Sequence, residues 1–438
     1  MLAKHAAKEI IVDGPVNICG QPFVPGDKSI SHRALIFSFL TGKQSLVSNL
    51  NTGRDCLHTL LALHALGGNY SWQGAELLTS SPRTGWQKRK CQIYAGNSGT
   101  TARLMMGLGA HFTNGSLHII GDKSLSQRPM ARVGDYLQTM GMHVNYLNNY
   151  GQLPLVIAPG QPQPATHKLT VPSAQVKSAI LLAGLAVDGE TEIIQKEQTR
   201  DHTERLLKLM GADLKTREPS ITLQGRRNLN FPAKYTVPGD ISAAAFWLAC
   251  AAAGGQITLT GVGINPTRTG ILKLLEAMGA TIQYSNARCL HGEPVADLII
   301  GESELRGIDV PPEVIPFCID ELPILAALAA CARGRTVVRG ARELRFKESD
   351  RLAGILTLMK RFGVDCEQVE DGLVIWGGRR FRPANFYSED HRLLMAAALL
   401  ASRADGQSRI GPVRWLDVSY PGFGRQLSLL ATGNVCLA

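Results

Sequence analysis

The chain has 438 residues, of which 45% are hydrophobic and 6% aromatic, and this length suffices for about two to three ordinary domains with full apolar cores. Lys and Arg total 46 against 36 Asp and Glu, and the formal charge of +10 suits nucleic acid, an anionic surface or small anionic substrates. The basic residues form no run of five or more, and neither an aromatic-basic RNA signature nor zinc-finger spacing occurs. Nucleic-acid binding is therefore not expected.

Cysteine usage and the first residues indicate a cytoplasmic protein. The nine cysteines have no CxxC pairing, and several lie in apolar helical runs, where Cys acts as a small hydrophobe. The first residues are too poor in apolar side chains for a signal peptide, and no uninterrupted apolar stretch reaches about 18 residues. We expect no membrane association and, because no metal-binding or dinucleotide motif occurs, no metal and no cofactor.

An internal period of about 70 residues organises the chain, and each unit reads as strand, helix, strand, helix, strand. One marker of the period is a helix that ends in a hydrophobic residue and Gly, because Gly is favoured just after a helix. This marker occurs at Leu66-Gly67, Met140-Gly141, Met210-Gly211, Met278-Gly279 and Phe362-Gly363.

The second marker is a helix rich in Ala and Leu that opens with polar residues. These helices are apolar nearly all round, which predicts that they are buried, and six of them suggest two halves of three units. The openings are Asp27-Lys28-Ser29, Asn97-Ser98-Gly99-Thr100, Ser173-Ala174-Gln175, Asp240-Ile241-Ser242, Asp320-Glu321 and Asp390-His391-Arg392.

Two proline-containing segments, near 21–25 and 231–238, are predicted crossovers between the halves. One domain then comprises 1–22 and 237–438 and contains both termini, and the second comprises 23–236. We expect a two-domain clamp with a cleft between the domains. The alternative is one continuous α/β solenoid, which the uniformly apolar helices disfavour.

The stretch 25–35 carries the strongest chemical signal. It places Lys28, Ser29 and Arg33 on the first turns of an apolar helix, where unpaired N–H groups and the helix dipole favour an anion. A capped helix with surface charges is the alternative interpretation. The segment 172–178 repeats the pattern with a hydroxyl, an amide and an ammonium, which strengthens the prediction of an anion site.

Charged residues in the C-terminal half indicate proton transfer. Lys347 and Arg351 are four apart and predicted to share a helix face, with Glu348 beside Arg351. A carboxylate held among cations suits proton transfer, and a surface ion-pair ladder is the alternative. Of Asp320 and Glu321, which precede an apolar helix, we expect one to cap that helix and the other to be a candidate base.

Three further segments are ambiguous by themselves. The turn 95–103 is rich in Gly and suits an anion bound on backbone N–H groups, although a structural capped turn is equally consistent with it. Arg128 precedes a helix-starting proline, and an arginine in that context is more often solvated than functional. His391 could be either a neighbour of a helix cap or a catalytic group.

Taken as a set, these residues resemble the 5-enolpyruvylshikimate-3-phosphate synthase family over essentially the whole chain. The resemblance implies an α/β fold of two inside-out α/β barrel domains with six βαβαββ-type repeats, three per domain, and an active site in the interdomain cleft. It also implies a monomer that needs no cofactor. The residues that carry it are Lys28-Ser29 with Arg33, Asn97 with Gly99-Thr100, Arg128-Pro129, Ser173 with Gln175, Asp320, Lys347-Glu348 with Arg351, and Asp390-His391-Arg392.

The resemblance implies two small-molecule substrates, shikimate 3-phosphate and phosphoenolpyruvate. The implied shikimate 3-phosphate site consists of Lys28, Ser29, Arg33, Ser173, Ala174, Gln175, Arg200, Asp320 and Lys347. The implied phosphoenolpyruvate site consists of Lys28, Gly99, Arg128, Gln175, Arg351 and Arg392.

The implied reaction is an addition followed by an elimination. Asp320 takes the proton of the shikimate 5-hydroxyl, the oxygen adds to C2 of phosphoenolpyruvate, and Glu348 or Lys28 protonates C3. Reversal of the proton transfer at C3 expels phosphate.

One feature of the sequence departs from the common family pattern, and another relates the chain to the subclasses of the family. Many members have a lysine where this chain has Val418, before Ser419-Tyr420-Pro421. The segments 173–177 and 200–204 resemble the bacterial subclass that tends to tolerate glyphosate, whereas Gly99 is the small residue typical of sensitive enzymes.

Three alternatives remain in view. The UDP-N-acetylglucosamine enolpyruvyl transferase family carries a Cys where this chain has Lys123. A non-catalytic anion-binding protein would not need Lys28, Asp320 and Glu348 together. An RNA-end enzyme on similar repeats would need a nucleotide site, and the sequence contains no motif for one.

Overall fold

A computed structural model of the chain describes residues 8–80, 90–112 and 115–438. These residues form two compact units, each with its own hydrophobic core. Within the described ranges, no helix is long and apolar enough to cross a membrane. The inserted unit comprises Gly26–Val237 and Leu290–Glu293, and the terminal unit comprises 8–25, Pro238–Cys289 and Pro294–Ala438.

The chain begins in the terminal unit with two short strands and then enters the inserted unit, where three repeats follow one another. Strands β1 (Ile10–Gly14) and β2 (Ile18–Gly20) precede α1 (Lys28–Leu40), β3 (Ser45–Ser48), α2 (Arg54–Ala65), β4 (Asn69–Gln73), β5 (Glu76–Ser80), β6 (Cys91–Tyr94), α3 (Gly99–Leu108), β7 (Leu117–Ile120), α4 (Lys123–Ser126), α5 (Ala131–Thr139), β8 (His143–Tyr146), β9 (Leu155–Ala158), β10 (Thr166–Lys168), α6 (Ala174–Gly184), β11 (Glu190–Ile194), α7 (His202–Leu209), β12 (Leu214–Arg217), β13 (Ser220–Gln224) and β14 (Lys234–Thr236).

The chain then returns to the terminal unit, which contains the other three repeats. Its remaining elements are α8 (Ile241–Gly254), β15 (Gly255–Gly263), α9 (Gly270–Ala277), β16 (Ile282–Leu290), β17 (Glu293–Gly301), α10 (Leu322–Cys331), β18 (Gly334–Val338), α11 (Arg351–Phe362), β19 (Asp365–Val369), β20 (Gly372–Gly377), β21 (Asn385–Tyr387), α12 (His391–Arg403), β22 (Gly406–Gly411), α13 (Phe423–Leu430) and β23 (Val435–Leu437).

The strands form six open sheets among the described residues, and the repeats share one plan. In the second repeat, for example, β6 and β7 are parallel and are joined through α3, and α4 and α5 lead to the hairpin of β8 and β9, of which β9 pairs with β7. A helix between two parallel strands is the usual connection, because such strands need a long crossover.

The first and fourth repeats obtain a strand from a distant part of the chain. Strand β14 pairs in parallel with β3, and β2 pairs in parallel with β15. Both pairs stay within one unit: β14 and β3 belong to the inserted unit, and β2 and β15 belong to the terminal unit. In the sixth repeat, β1 pairs with both β22 and β23, so residues near both ends of the chain belong to one sheet.

The six polar-opened helices that the sequence predicts are α1, α3, α6, α8, α10 and α12, and they form the interior of the two units. Helix α3 packs on α6 and α1, and α10 packs on α8 and α12. Every residue of α8 except Ala253 is buried, as its continuous apolar sequence predicts.

Side chains cap five of these six helices by accepting a hydrogen bond from a backbone N–H of the first turn. The capping residues are Asp27, Ser98, Ser173, Asp240 and Asp390.

The predicted glycines after the second helix of a repeat are all present as C-terminal turns. Each has a positive φ, between 77° at Gly363 and 102° at Gly67 and Gly279. A side chain is strained in this left-handed region, and Gly is therefore the residue that ends the helix without that cost.

Candidate active site

The functional residues predicted from the sequence fall into two clusters. We call the first the helix-start cluster, because most of its members lie at or near the starts of α1, α3 and α6 in the inserted unit. The second is the carboxylate cluster of the terminal unit. The helix-start cluster comprises Lys28, Ser29, Arg33, Gly99, Arg128, Ser173, Ala174, Gln175 and Arg200, and the carboxylate cluster comprises Asp320, Lys347, Glu348, Arg351 and Arg392.

Lys28 is held at the start of α1 by a carboxylate of the neighbouring helix. Its Nζ lies 3.0 Å from Oδ2 of Asp55, and both side chains are mostly buried. Asp55 lies on the first turn of α2, and its backbone carbonyl accepts a hydrogen bond from Thr101 of α3 at 3.3 Å. An ion pair therefore fixes Lys28, and the backbone of its partner Asp55 is in turn hydrogen-bonded to α3.

Arg33 lies one turn further along α1 and is only 4% exposed. Its Nη1 donates to the carbonyl of Ser29 at 2.8 Å, its Nη2 to Oγ of Ser178 at 2.7 Å, and its Nε to Oγ1 of Thr203 at 2.6 Å. Burial lowers the pKa of Arg33 to about 10, although Glu204 acts in the opposite direction. The guanidinium is still charged at neutral pH, and it links α1 to α6 and α7.

Gln175 and Arg103 join the starts of α6 and α3. Nη1 of Arg103 donates to Oε1 of Gln175 at 2.6 Å, and Nε2 of Gln175 donates to Oγ1 of Thr100 at 2.9 Å. A Cβ at Gly99 would lie 3.0 Å from Nη1 of Arg103 and 3.5 Å from Nη1 of Arg128. Gly99 thus lets two guanidinium groups approach the helix start closely.

Arg128 is oriented by Asn97, which precedes the cap of α3. Nη1 of Arg128 donates to the Asn97 carbonyl at 3.3 Å, and Nη2 donates to the Asn97 side-chain oxygen. Asn97 in turn donates to Asp122 at 2.8 Å. The sequence context suggests a solvated arginine, but this side chain is half-buried and donates two hydrogen bonds to one residue, Asn97.

A buried ion pair lies behind the start of α6. Nζ of Lys177 is 2.6 Å from Oε1 of Glu204, and the two side chains are 1% and 5% exposed. Lys177 also donates to the carbonyl of Thr199 at 3.4 Å, which fixes the segment that presents Arg200. The ammonium of Lys177, which the sequence suggests as part of an anion site, therefore has a structural partner.

Arg351 is the centre of the carboxylate cluster. Its Nε lies 2.8 Å from Oδ2 of Asp390, its Nη2 2.6 Å from Oε2 of Glu348, and its Nη1 3.2 Å from Oδ1 of Asp320. Burial opposes the charged form of Arg351, but the three carboxylates outweigh it and raise its pKa well above the ordinary value. Burial likewise opposes ionisation of Asp390, yet Arg351 lowers the pKa of that carboxyl.

Asp320 and Glu348 are the more accessible carboxylates of this cluster. Asp320 also accepts Nζ of Lys347 at 3.0 Å, and the side chains of Asp320 and Glu348 are 17% and 25% exposed. Two partly exposed carboxylates are thus held by one buried guanidinium. Such carboxylates are oriented and can exchange a proton with a bound molecule.

Arg392 has a different environment on the second residue of α12. Its backbone N–H donates to the capping Asp390 at 2.9 Å. Arg392 is only 9% exposed, yet its guanidinium makes neither a hydrogen bond nor an ion pair with any residue that the structure describes. A mostly buried cation at a helix start is a suitable partner for an anionic ligand.

Two predictions from the sequence are wrong in detail. Lys347 and Glu348 do not share a helix with Arg351, because α11 begins at Arg351 and the segment before it is a turn that follows a short 3₁₀ helix. The side chains still come together, because Glu348 pairs directly with Arg351 and Lys347 pairs with Asp320, which also contacts Arg351. Glu321 does not cap α10 with its side chain, but is buried against Ser242 and Arg268.

Several residues of the site give no local sequence signal. Asp55, Thr203 and Asp390 lie 27, 170 and 39 residues from the side chains they hold, namely Lys28, Arg33 and Arg351. The sequence places Asp390 at a helix opening without indicating its ion pair. Arg103 is the last residue of the Gly-rich segment 95–103, and the sequence does not indicate its hydrogen bond to Gln175.

Comparisons with known proteins agree over almost the whole chain. The sequence model described as EPSP synthase (3-phosphoshikimate 1-carboxyvinyltransferase) matches residues 12–427. A 3-phosphoshikimate 1-carboxyvinyltransferase of Desulforamulus reducens is 42% identical over 422 residues, which cover 95% of this chain and 97% of that protein. One of Synechococcus elongatus is 41% identical over 415 residues, 93% of this chain and 92% of that protein.

Solved structures give the same result. The EPSP synthase of Acinetobacter baumannii superposes with a TM-score of 0.85 at 36% identity, over 98% of this chain and all of that chain. The enolpyruvyl transferase NikO of Streptomyces tendae superposes with a TM-score of 0.78 at 16% identity, over 98% of both chains, which shows a shared fold. The fold is therefore the two-domain α/β fold of enolpyruvyl transferases, and the chain belongs to the EPSP synthase family.

Proposed function

We propose that this protein is a 3-phosphoshikimate 1-carboxyvinyltransferase of the shikimate pathway, which leads to chorismate and the aromatic amino acids. It transfers the enolpyruvyl group of phosphoenolpyruvate to the 5-hydroxyl of shikimate 3-phosphate and releases phosphate. The observation that carries the proposal is the combination of a cation-rich helix-start cluster with carboxylates oriented on Arg351. The first suits two multiply charged anions, and the second suits proton transfer.

Shikimate 3-phosphate is proposed to bind mainly to the helix-start cluster. Arg33 and Ser29 hold its carboxylate, Ser173 and Ala174 hold its phosphate at the start of α6, and Arg200 adds a second cation to the phosphate. This assignment is supported by the half-buried position of these helix starts and by the free N–H groups that a helix start offers. Lys28, Gln175, Asp320 and Lys347 complete the proposed set.

Phosphoenolpyruvate is proposed to draw on both clusters. Lys28, the backbone of Gly99 and Arg128 come from one, and Arg351 and Arg392 from the other, with Gln175 between the two ligands. The Arg392 guanidinium supports this assignment, because its charge has no counter-ion among the described residues. Since both substrates contact both clusters, we propose that the substrates bring the clusters together and that closure excludes water.

The proposed chemistry uses Asp320, Glu348 and Lys28. Asp320 removes the proton of the 5-hydroxyl, the oxygen attacks C2 of phosphoenolpyruvate, and Glu348 or Lys28 delivers a proton to C3. The tetrahedral adduct then loses a proton from C3 and phosphate from C2. Arg351 orients Asp320 and Glu348 before the substrates arrive.

Three single variants test these proposed proton-transfer roles: Asp320→Asn, Glu348→Gln and Lys28→Met. Each removes the titrating group while it preserves most of the side-chain volume. We expect phosphate release to fall by on the order of a thousandfold, as is common when a general acid or base is lost. We also expect calorimetric binding of shikimate 3-phosphate to change by less than about tenfold, since Lys28 and Asp320 are two of many proposed contacts and Glu348 is not one of them.

Loss of ligand binding in step with turnover would instead make these residues binding residues only. Asp350→Asn is the matched control for Asp320→Asn, because Asp350 is exposed, caps α11 and is outside the proposed set. It is expected to leave both measurements unchanged.

We further propose that the enzyme belongs with the glyphosate-tolerant bacterial subclass. Ala174 within Ser173-Ala174-Gln175 and Arg200 support this assignment, while Gly99 keeps the site open to the inhibitor. Inhibition of phosphate release by glyphosate, titrated at fixed phosphoenolpyruvate, tests the proposal. Full inhibition at micromolar glyphosate would contradict it.

Finally, we propose a cytoplasmic monomer. All nine cysteines are free thiols, as is usual where glutathione keeps thiols reduced. The exposed large apolar residues, such as Phe23, Tyr150 and Leu429, are scattered along the sequence. Light scattering during size-exclusion chromatography should therefore give the mass of one chain, 47.3 kDa.

A further inference from the structure

Neutral groups orient the guanidinium of Arg33. Within the described residues, the three acceptors of its guanidinium are all neutral: the Ser29 carbonyl, Oγ of Ser178 and Oγ1 of Thr203. Ser178 lies on α6 and Thr203 on α7, so the two hydroxyls come from elements that pack against α1. Both residues are only 1% exposed, and the hydroxyls therefore have no access to bulk water.

The two hydroxyl protons have determined directions. Oγ of Ser178 lies 2.6 Å from the Ala174 carbonyl, which can only accept, so Ser178 donates there. Oγ of Ser178 also lies 2.7 Å from Oγ1 of Thr203, and because the Ser178 proton is already used, Thr203 must donate to Ser178. Each hydroxyl then presents a lone pair to Arg33. A chain of hydrogen bonds thus runs from the guanidinium through Thr203 and Ser178 to Ala174.

The charge of Arg33 is not neutralised by this arrangement. Among the residues that the structure describes, no carboxylate forms an ion pair with it, and the buried Glu204 nearby is paired with Lys177. A buried cation that is held only by dipoles is costly, and an anionic ligand offsets that cost. The neutral acceptors fix the plane of the guanidinium and leave its charge available.

We propose that Thr203 and Ser178 are positioning residues, which set the guanidinium plane of Arg33 so that it selects an acceptor substrate bearing a carboxylate. The inference rests on the proposed function, because it assumes that Arg33 meets the carboxylate of shikimate 3-phosphate. It also couples this contact to Ala174, whose carbonyl ends the chain of hydrogen bonds at the proposed phosphate site. Recognition of the carboxylate and of the phosphate then share one rigid support.

The test compares two variants with two acceptors. Thr203→Val removes the hydroxyl and keeps the shape, and Ser178→Ala removes the other hydroxyl. The acceptors are shikimate 3-phosphate and its carboxamide analogue, in which the carboxylate is replaced by a neutral amide of similar size. Thr203→Ser, which keeps a hydroxyl at the same position, is the matched control.

For both variants we expect the KM for shikimate 3-phosphate to rise about tenfold, since a misaligned buried guanidinium loses a charge-assisted hydrogen bond. The KM for phosphoenolpyruvate, the kcat and the KM for the carboxamide should change by less than about twofold. The preference for carboxylate over carboxamide should therefore fall about tenfold, and Thr203→Ser should restore it.

Equal losses on both acceptors would overturn the proposal, because they would mean that the hydroxyls only support the fold. If Thr203→Val folds poorly by circular dichroism, Ser178→Ala decides the question, because its change is smaller. Equal use of both acceptors by the wild-type protein would show that Arg33 does not recognise the carboxylate. That result would overturn the positioning role of Thr203 and Ser178 but would leave the proposed enolpyruvyl transfer unaffected. Wild-type protein without turnover on either acceptor would remove the proposed function itself.

Discussion

At the scale of single residues, Arg351 determines the geometry of the carboxylate cluster. It is 1% exposed and pairs with Asp390, Glu348 and Asp320. Because the three carboxylates share one cation, each would repel the others without it. The buried charge of Arg351 thus allows two acidic groups, Asp320 and Glu348, to lie close together.

Replacement of Arg351 by Lys is expected to be strongly destabilising. One ammonium cannot satisfy three carboxylates in the directions that the guanidinium reaches, and Asp390 is buried without any exposure of its side chain. Loss of a partner from a buried ion pair costs about 3–5 kcal/mol of unfolding free energy, and urea denaturation measures it. We also expect phosphate release to disappear.

Arg361→Lys is the control for this variant, because Arg361 is exposed on the same helix. It should change the unfolding free energy by less than about 0.5 kcal/mol. A loss below about 1 kcal/mol for Arg351→Lys would show that the carboxylates find other partners.

The sequence predicts the residue types of the site better than their pairing. Lys28 and Arg33 stand out because they lie on the first turns of an apolar helix, and Arg351 stands out because Lys347 and Glu348 are close to it in the sequence. Their partners Asp55 and Thr203 do not, since the contacts join helices 27 and 170 residues apart along the chain. Only the packing of α1 on α2 and α7 creates these contacts, and one sequence contains no local trace of it.

At the scale of elements, the starts of α1, α2 and α3 are tied together by a buried polar chain. Nδ1 of His32 lies 2.7 Å from Oγ1 of Thr59, which lies 2.7 Å from Oγ1 of Thr101. Thr101 reaches the helix cap Ser98 at 2.8 Å. Burial and then the nearby cations Lys28 and Arg33 lower the pKa of His32 well below its ordinary value.

The buried position of His32 in this polar chain predicts that the free energy of unfolding depends on pH. Below pH 6.5 the unfolded chain binds a proton at His32 and the folded protein does not, so the stability present above pH 6.5 is lost as the pH falls. The expected contribution is about 1.4 kcal/mol per pH unit until the folded histidine titrates. Urea denaturation at pH 7.5 and 5.5 should show a weaker dependence for His32→Asn.

His143→Asn provides the matched control, because His143 is an exposed histidine of the same unit. Its slope should equal that of the wild type. An unchanged slope for His32→Asn would mean that His32 is protonated in the folded protein.

The start of α3 gives a second prediction at this scale. In Gly99→Ala, the new Cβ would lie 3.0 Å from Arg103, which is already engaged with Gln175, and 3.5 Å from Arg128. Displacement of these cations should raise the KM for phosphoenolpyruvate on the order of tenfold and weaken inhibition by glyphosate. The KM for shikimate 3-phosphate should change little.

Stability distinguishes this effect from damage to the fold. Ala favours a helix more than Gly does, so the melting temperature of Gly99→Ala should be equal to or above that of the wild type. A rise in both KM values together with a lower melting temperature would contradict the assignment of Gly99 to the phosphoenolpyruvate site.

The repeating elements are largely predictable, and the exceptions have physical reasons. Positive-φ glycines and capped apolar helices are local features, so the sequence indicates them directly. The predicted helix through Lys347 fails because Asp350 caps α11 and starts it at Arg351, so charge spacing alone is misleading there. The fifth repeat lacks its first strand among the described residues, where only isolated bridges at Arg306 and Asp309 remain.

In the whole molecule, two sheets each contain a strand that comes from a distant part of the chain. Strand β2 completes the sheet of β15, and β14 completes the sheet of β3. The prolines near 21–25 and 231–238 indicate where the chain passes from one unit to the other, but no local pattern states which sheet receives β2. That choice depends on long-range pairing, which costs chain entropy and is repaid only in the folded protein.

Both clusters are proposed to serve one reaction, the transfer of an enolpyruvyl group to shikimate 3-phosphate. The most direct test is phosphate release from purified protein supplied with phosphoenolpyruvate, alone, with shikimate 3-phosphate, or with UDP-N-acetylglucosamine. We predict release only with shikimate 3-phosphate. Release with the sugar nucleotide would assign the protein to the other enolpyruvyl transferase reaction. Release with neither acceptor would contradict the proposed function and leave an anion-binding protein.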